Sequence, residues 1–198
     1  EFQFDINTKL KNNKIIDSNI SFDLLESILS IDFIDYLKTK NKKGLLTFAY
    51  KKKEDGSNLI KELKYESDDL NIDGEIEFDN NLKVNRIDFS KILSPIHDIS
   101  VSVRNKRPDG YLVAINGNSL DIENYVTKFL NSDTNFNFPE MKLFLQLQKL
   151  QITKNKYLTD SKSELLYNGN EIISLTSTGK LNDEGQVIVK IITKNIKN

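Results

Sequence analysis

The chain has 198 residues, 38% hydrophobic and 29% charged, with 28 Lys and Arg against 29 Asp and Glu for a formal net charge of −1. That length supports one large domain or two small ones, the apolar fraction is too high for disorder, and the near-neutral balance makes no electrostatic case for nucleic acid. The absence of cysteine excludes disulfides, thiolate nucleophiles and zinc–thiolate sites.

The first residues, Phe2-Gln3-Phe4-Asp5-Ile6, alternate as a strand does, and residues 2–10 read as one. No methionine, basic n-region or hydrophobic h-region precedes them. The expectation is a piece of a longer protein, with any signal or anchor outside it. From Ser21 the period changes. Phe22, Leu24, Leu25, Ile28, Leu29, Ile31, Phe33, Ile34 and Leu37 recur at spacings of three and four, which predicts an amphipathic helix or helix pair over about 21–40. Ser18 or Ser21 is its N-cap candidate and Gly44 its stop. The flanking clusters Lys40-Asn41-Lys42-Lys43 and Lys51-Lys52-Lys53 read as solvated turn ends.

Strand signals then follow one another: 45–50, a turn at Asp55-Gly56, 61–66, 70–78, a turn at Asp79-Asn80-Asn81, and 82–89. Ile99 to Arg104 alternates cleanly, Pro108-Asp109-Gly110 supplies a turn, and Tyr111 to Ile115 returns, predicting a hairpin over 99–117. A short helix is expected at 121–131, with Asp121 as cap. Met141 to Ile152 reads as a long strand whose phase slips around Gln148-Lys149, as at a β-bulge. Three further strands, 164–167, 171–175 and 186–193, are separated by turns at Asn168-Gly169-Asn170 and Asn182-Asp183-Glu184-Gly185. Three of these segments run an alternating stretch into a glycine, at Gly74, Gly117 and Gly179, where a bulge, bend or close backbone approach is expected. The fold class is mainly β with a few short helices: a repetitive, twisted antiparallel sheet forming an open apolar groove. Residues 1–135 hold the first strand, the helix and the first sheet repeats. Residues 136–198 continue the same sheet, with a seam at Ser132 to Pro139.

Catalytic constellations are not evident. His97 is the only histidine, so a triad would depend wholly on it. No G-x-G-x-x-G is present, Asp68-Asp69 and Asp121/Glu123 match no calcium loop, and Asn116-Gly117-Asn118-Ser119 is not a nucleophile elbow. No catalytic residue, metal ligand or cofactor is assigned. Phe22, Phe33, Tyr36, Phe129, Phe136 and Phe138 gather around the two helical segments. They read as helix-on-sheet packing or as an apolar surface open to a greasy ligand.

The stretch Tyr111-Leu112-Val113-Ala114-Ile115-Asn116-Gly117-Asn118-Ser119-Leu120-Asp121-Ile122, followed by a short helix, resembles the AsmA-like superfamily, and more closely the large YhdP-type proteins of Gram-negative bacteria. Leu143 to Leu150, then Leu158-Thr159-Asp160, Ser163 to Tyr167 and Ile172 to Leu175, ending at Gly179, is similar to that family's ladder–loop–strand–turn–strand–glycine unit. The segment from Leu24 to Gly44 is similar to its helix–glycine–strand element. The glycine content is low, and the tryptophan or arginine often found in the helical element is missing. The resemblance implies a segment of a non-enzymatic periplasmic protein, its parent anchored in the inner membrane. Such a protein carries phospholipid or another acyl-chain lipid along an apolar β groove and supports envelope integrity. The candidate groove residues, taken from the alternating faces, are Leu70, Ile72, Ile76, Val101, Val103, Val113, Ile115, Leu143, Leu145, Leu147, Leu175, Val187, Val189 and Ile191, each of which reads alternatively as ordinary core beneath a helix. An envelope structural or protein-interaction module using its sheet edges, with other envelope proteins as partners, is the second reading, and an enzyme built around His97 the third.

Overall fold

The computed structural model describes residues 3–11, 14–106, 110–130 and 138–193. Its contacts divide the chain into two compact units, Glu1–Pro95 and Ile96–Asn198. The seam expected at Ser132 to Pro139 falls largely outside the described residues.

In the first unit six strands lie side by side in chain order, every pair antiparallel. They are β1 (Gln3–Lys11), β2 (Lys14–Asp23), β5 (Gly44–Lys52), β6 (Asn58–Ser67), β7 (Asn71–Phe78) and β8 (Val84–Leu93). Between β2 and β5 the chain makes a small hairpin, β3 (Leu29–Ile31) and β4 (Tyr36–Lys38), joined by a 3-10 turn at Asp32–Ile34. The turn chemistry read from sequence is in place. Gly56 adopts φ 86°, and the Asp79 carboxylate accepts the Asn81 and Lys83 amides.

The helix expected over 21–40 is replaced by the end of β2 and the β3–β4 hairpin. Local side-chain bonding wins there over helical spacing. The Asp23 carboxylate accepts the Leu25 amide, Ser30 bonds to Asp32, and Asp35 adopts a left-handed φ of 50° that ends the 3-10 turn. The stripe of apolar residues does not bury together either, for Ile34 is buried while Leu25, Ile28, Phe33 and Leu37 are exposed.

The second unit also places six strands in chain order: β9 (Asp98–Asn105), β10 (Tyr111–Asp121), β11 (Met141–Thr153), β12 (Lys156–Tyr167), β13 (Ile172–Leu181) and β14 (Gly185–Ile192). The β9–β10 hairpin forms as expected, with Val103 opposite Val113 and Val101 opposite Ile115. The expected all-antiparallel sheet is not what forms, because β10 and β11 are parallel. A parallel pair needs a crossover of a dozen or more residues, and the helix α1 (Glu123–Leu130) lies in that crossover and packs on β11. Its cap is the expected one, with Asp121 Oδ1 accepting the Glu123 amide at 2.8 Å. The β13–β14 turn carries two left-handed residues in succession, Asn182 (φ 49°) and Asp183 (φ 63°). That pair matches the primed turns whose twist suits tight hairpins.

The glycines mark the irregularities. A Cβ at Gly74 would overlap the Asp88 carbonyl and the Phe89 backbone, where the β7–β8 register shifts. One at Gly117 would overlap the Asp98 carbonyl and the Ile99 Cα, at the β9–β10 shift. Gly179 faces the bulge between Thr159 and Lys162 on β12. On β11, Leu147 and Leu150 are buried while Gln148 and Lys149 are exposed, but the bulge expected at Gln148-Lys149 does not form: the register against β12 runs unbroken from Leu147 to Gln151 and shifts only between Gln151 and Thr153.

Candidate functional site

Alternation, re-phased at the register shifts, gives each unit one mainly apolar and one mainly polar face, and the register aligns the apolar side chains into rows that cross the strands. In the first unit Phe22, Leu46, Tyr65, Ile72 and Ile92 are successive cross-strand partners from β2 to β8. A second row runs Tyr50, Ile60, Ile76 and Ile87. Along β1, β2 and β5 the rings of Phe4, Phe22 and Phe48 follow one another at 6.5 and 6.3 Å between centroids. The expected groove residues Leu70, Ile72 and Ile76 belong to this face, the first two buried and the third half-buried.

The second unit brings its expected residues together. Val103, Val113, Leu143, Leu165, Leu175 and Ile191 form one row across all six strands. Val101, Ile115, Leu145, Ser163, Ser177 and Val189 form the next. Ile99, Gly117, Leu147 and Ser161 form a third, continued by the pair Gly179 and Val187. Val101 and Leu147 are buried, Val189 and Ile191 are 39% and 45% exposed, and the other groove candidates of this unit are half-buried. Sequence alternation missed the small residues at the centre of this face. Ser163 and Ser177 satisfy each other at 2.8 Å, whereas the fully buried Ser161 hydroxyl has no hydrogen-bond partner among the described residues. Gly117 and Gly179 add no side chain. These small residues are covered: Ser161, Ser163 and Ser177 are 0%, 8% and 9% exposed.

The polar faces carry cross-strand ion pairs. Lys53 Nζ donates to Glu77 Oε2 at 2.7 Å, and Arg86 bridges Glu75 and Asp88. That lysine hydrogen bond is the main reason the Glu77 carboxyl lies below its ordinary value, with burial opposing it. In the second unit Lys142 pairs with Glu164 at 2.6 Å. An open depression of about 800 Å³ lies over β1, β2 and β5, lined by Asn7, Asn19, Ser21, Thr47 and Glu62 with Ile6, Ile20 and Phe48 among others. The sequence pattern gave no sign of it, because it depends on β2.

The β3–β4 hairpin is fastened at one end of the first unit's apolar face. Tyr36 packs edge-on against Tyr65 at 6.1 Å, and its hydroxyl lies 3.0 Å from Tyr65 Oη, Ser67 Oγ and Asp69 Oδ1. Burial pushes the Tyr36 hydroxyl well above its ordinary value, a shift that the Ser67 bond opposes. For Asp69, burial raises the carboxyl, but the Tyr36 and Ser67 hydroxyls and Lys42 outweigh it and leave the net shift downward. Lys38 is fully buried, and its ammonium donates to the carbonyls of Leu24 at 2.5 Å, Ser27 at 2.8 Å and Thr39 at 3.2 Å.

His97 is 3% exposed, and its Nδ1 accepts the Asp121 amide at 3.3 Å, joining the lead-in of β9 to the end of β10. Among the described residues no three His, Cys, Asp or Glu side chains are placed to hold a metal ion, and no helix is long and apolar enough to cross a membrane. Of the aromatic residues expected to cluster, the Phe129 side chain and Phe136 lie outside what is described. Comparison with known proteins finds no matching family model, no matching curated protein and no matching solved structure.

Proposed function

We propose that the chain is a segment of an AsmA-like periplasmic protein, its parent held in the inner membrane. It carries phospholipid along the apolar face of its sheet without catalysing a reaction. The observation that supports this reading most is the alignment of the second unit's groove candidates. Val103, Val113, Leu143, Leu165, Leu175 and Ile191 follow one another in one row; Val101, Ile115, Leu145 and Val189 lie in the next, where Ser163 and Ser177 separate Leu145 from Val189; and most of these apolar residues are only half-buried. Apolar surface left half-wet gains about 25 cal/mol per Å² when an acyl chain covers it. A methylene contributes about 0.8 kcal/mol wherever it sits along such a row, so a chain can slide with little change in energy. Transfer of this kind needs continuity of surface and no reactive group. The headgroup stays in water, and the polar face of the sheet is left free.

Fluorescence of an NBD-labelled phospholipid, titrated with the purified chain, tests this directly. Emission is expected to rise and shift to the blue, and unlabelled phospholipid is expected to reverse it. Leu145→Asp should weaken binding at least tenfold with an unchanged circular-dichroism spectrum, while Lys162→Asp should leave binding as it is. No emission change with the wild-type chain, or equal binding by a folded Leu145→Asp variant, refutes the reading.

A further inference from the structure

We infer that the depression over β1, β2 and β5 binds an uncharged oligosaccharide, on the face of the sheet that lipid carriage leaves free. Its lining falls into rows. Asp5, Ser21 and Thr47 stand opposite one another on the three strands, and so do Asn7, Asn19 and Ala49. Both rows rise on the polar face. The row between them, Ile6, Ile20 and Phe48, sends its side chains to the other face and lends the depression its backbone. The walls stay low because their side chains are short, and Ala49 is 4% exposed. At one end lies Glu62, carried on a bulge of β6 with a left-handed φ of 53°. A further strand beside β1 would lengthen this face and leave the depression open, so the site does not depend on an unpaired edge.

These polar groups are not used within the chain. Elsewhere in this unit the polar face pairs its charges across strands, as Lys53 with Glu77 and Arg86 with Asp88. The side chains of Asp5, Asn7, Asn19, Ser21 and Thr47 make no hydrogen bond or ion pair with a described residue, and Glu62 makes only a 3.8 Å pair with Lys61. The donor set selects the ligand. Each asparagine offers an amide donor and acceptor side by side, Ser21 and Thr47 each offer a hydroxyl that does either, and Asp5 and Glu62 accept only. Neighbouring hydroxyls on a sugar ring match that mixture, since each donates and accepts. An anion would face two carboxylates with no Lys, Arg or His in the lining. A bare metal ion finds no group of three acidic or imidazole side chains among the described residues. An apolar molecule would strip water from the amides and hydroxyls and return no hydrogen bonds. At about 800 Å³ the space is in the range of small-molecule sites and suits several sugar units.

Amide chemical shifts of the isotope-labelled chain, titrated with maltotriose, cellotriose and triacetylchitotriose, test it. At least one of the three should shift the amides of 5–8, 19–21 and 47–49 saturably and leave those of β9 to β14 in place. Asn19→Ala, at an exposed position, and Thr47→Val, which keeps the shape and drops the hydroxyl, should each weaken that binding about fivefold or more, the loss expected for a neutral hydrogen bond. The circular-dichroism spectrum should not change. Trigalacturonic acid, a trisaccharide with three carboxylates, should bind more weakly than the best neutral sugar. Leu145→Asp should bind the sugar as the wild type does, so failure of lipid carriage and failure of this site are told apart. No shift with any of the three sugars at millimolar concentration, shifts outside the depression, shifts with calcium chloride alone, or binding unaltered by both substitutions overturns the proposal.

Discussion

Lys38→Met removes the ammonium that fastens the β3–β4 hairpin while keeping a side chain of similar length. The three bonds to Leu24, Ser27 and Thr39 come from a charged donor, at about 1.5–3 kcal/mol each, or roughly 5–9 kcal/mol together. Taking the ammonium out of a fully buried site relieves several kcal/mol of desolvation. Leu24 also keeps a partner, since its carbonyl accepts the Ser27 amide at 2.9 Å. The net loss should be about 2–4 kcal/mol. At about 4–8 °C per kcal/mol for a unit of this size, melting should fall by roughly 8–32 °C. Hydrogen exchange gives the local readout. Amides of Leu29–Ile31 and Tyr36–Lys38 should lose protection before those of β5 to β8, because the hairpin is held by Lys38 and the Tyr36 cluster. Lys38→Arg should not restore stability, since a Cβ at Gly44 would come within 2.7 Å of the Lys38 Cε and the bulkier guanidinium has no room there. A Lys38→Met protein that melts with the wild type and keeps its hairpin amides protected would refute the role assigned to this lysine.

Three further changes test other parts of the structure. Glu77 has a depressed folded-state value, so its contribution is complete above its ordinary value of 4.5 and is lost as pH falls below that through the folded value. Melting temperature between pH 7 and pH 3 should therefore drop less steeply in Glu77→Gln than in the wild type, and equal slopes would contradict the Lys53 pairing. Gly117→Ala should cost about 1–3 kcal/mol in urea unfolding, because the added methyl meets backbone that cannot turn aside. His97→Leu leaves the Asp121 amide without its acceptor in a buried site, and should destabilise by about 1–3 kcal/mol in the same assay.

What the sequence disclosed follows from which interactions are local. Val101, Val103, Val113 and Ile115 alternate across a turn, so their hairpin and its register could be read from one short stretch. Gly74 and Gly117 were legible because only a residue without Cβ admits a neighbouring backbone that closely. The segment 21–40 misled because its apolar spacing is helical, while Asp23, Asp32 and Asp35 spend their side chains and backbone on turns. The parallel β10–β11 pair was hidden because nothing in the short helix at 123–130 says which way the next strand will run. Lys38 was invisible for a different reason. Its three acceptors are backbone carbonyls, which any residue carries. At the candidate site, the alternating face was readable, but burial was not. Leu145 and Leu147 are two residues apart on one face, and only the register with Ser163 and Ser161 separates the half-buried from the buried one. The serine strip was missed because serines on a strand read as the polar side of the alternation.

Native mass spectrometry of the purified chain, paired with lipid extraction from the same sample, tests lipid carriage most directly. Adducts with phospholipid masses are expected, matched by phospholipid in the extract and absent from a folded Leu145→Asp variant. A wild-type chain that shows only its own mass and yields no lipid on extraction, even after incubation with phospholipid vesicles, would contradict the proposal.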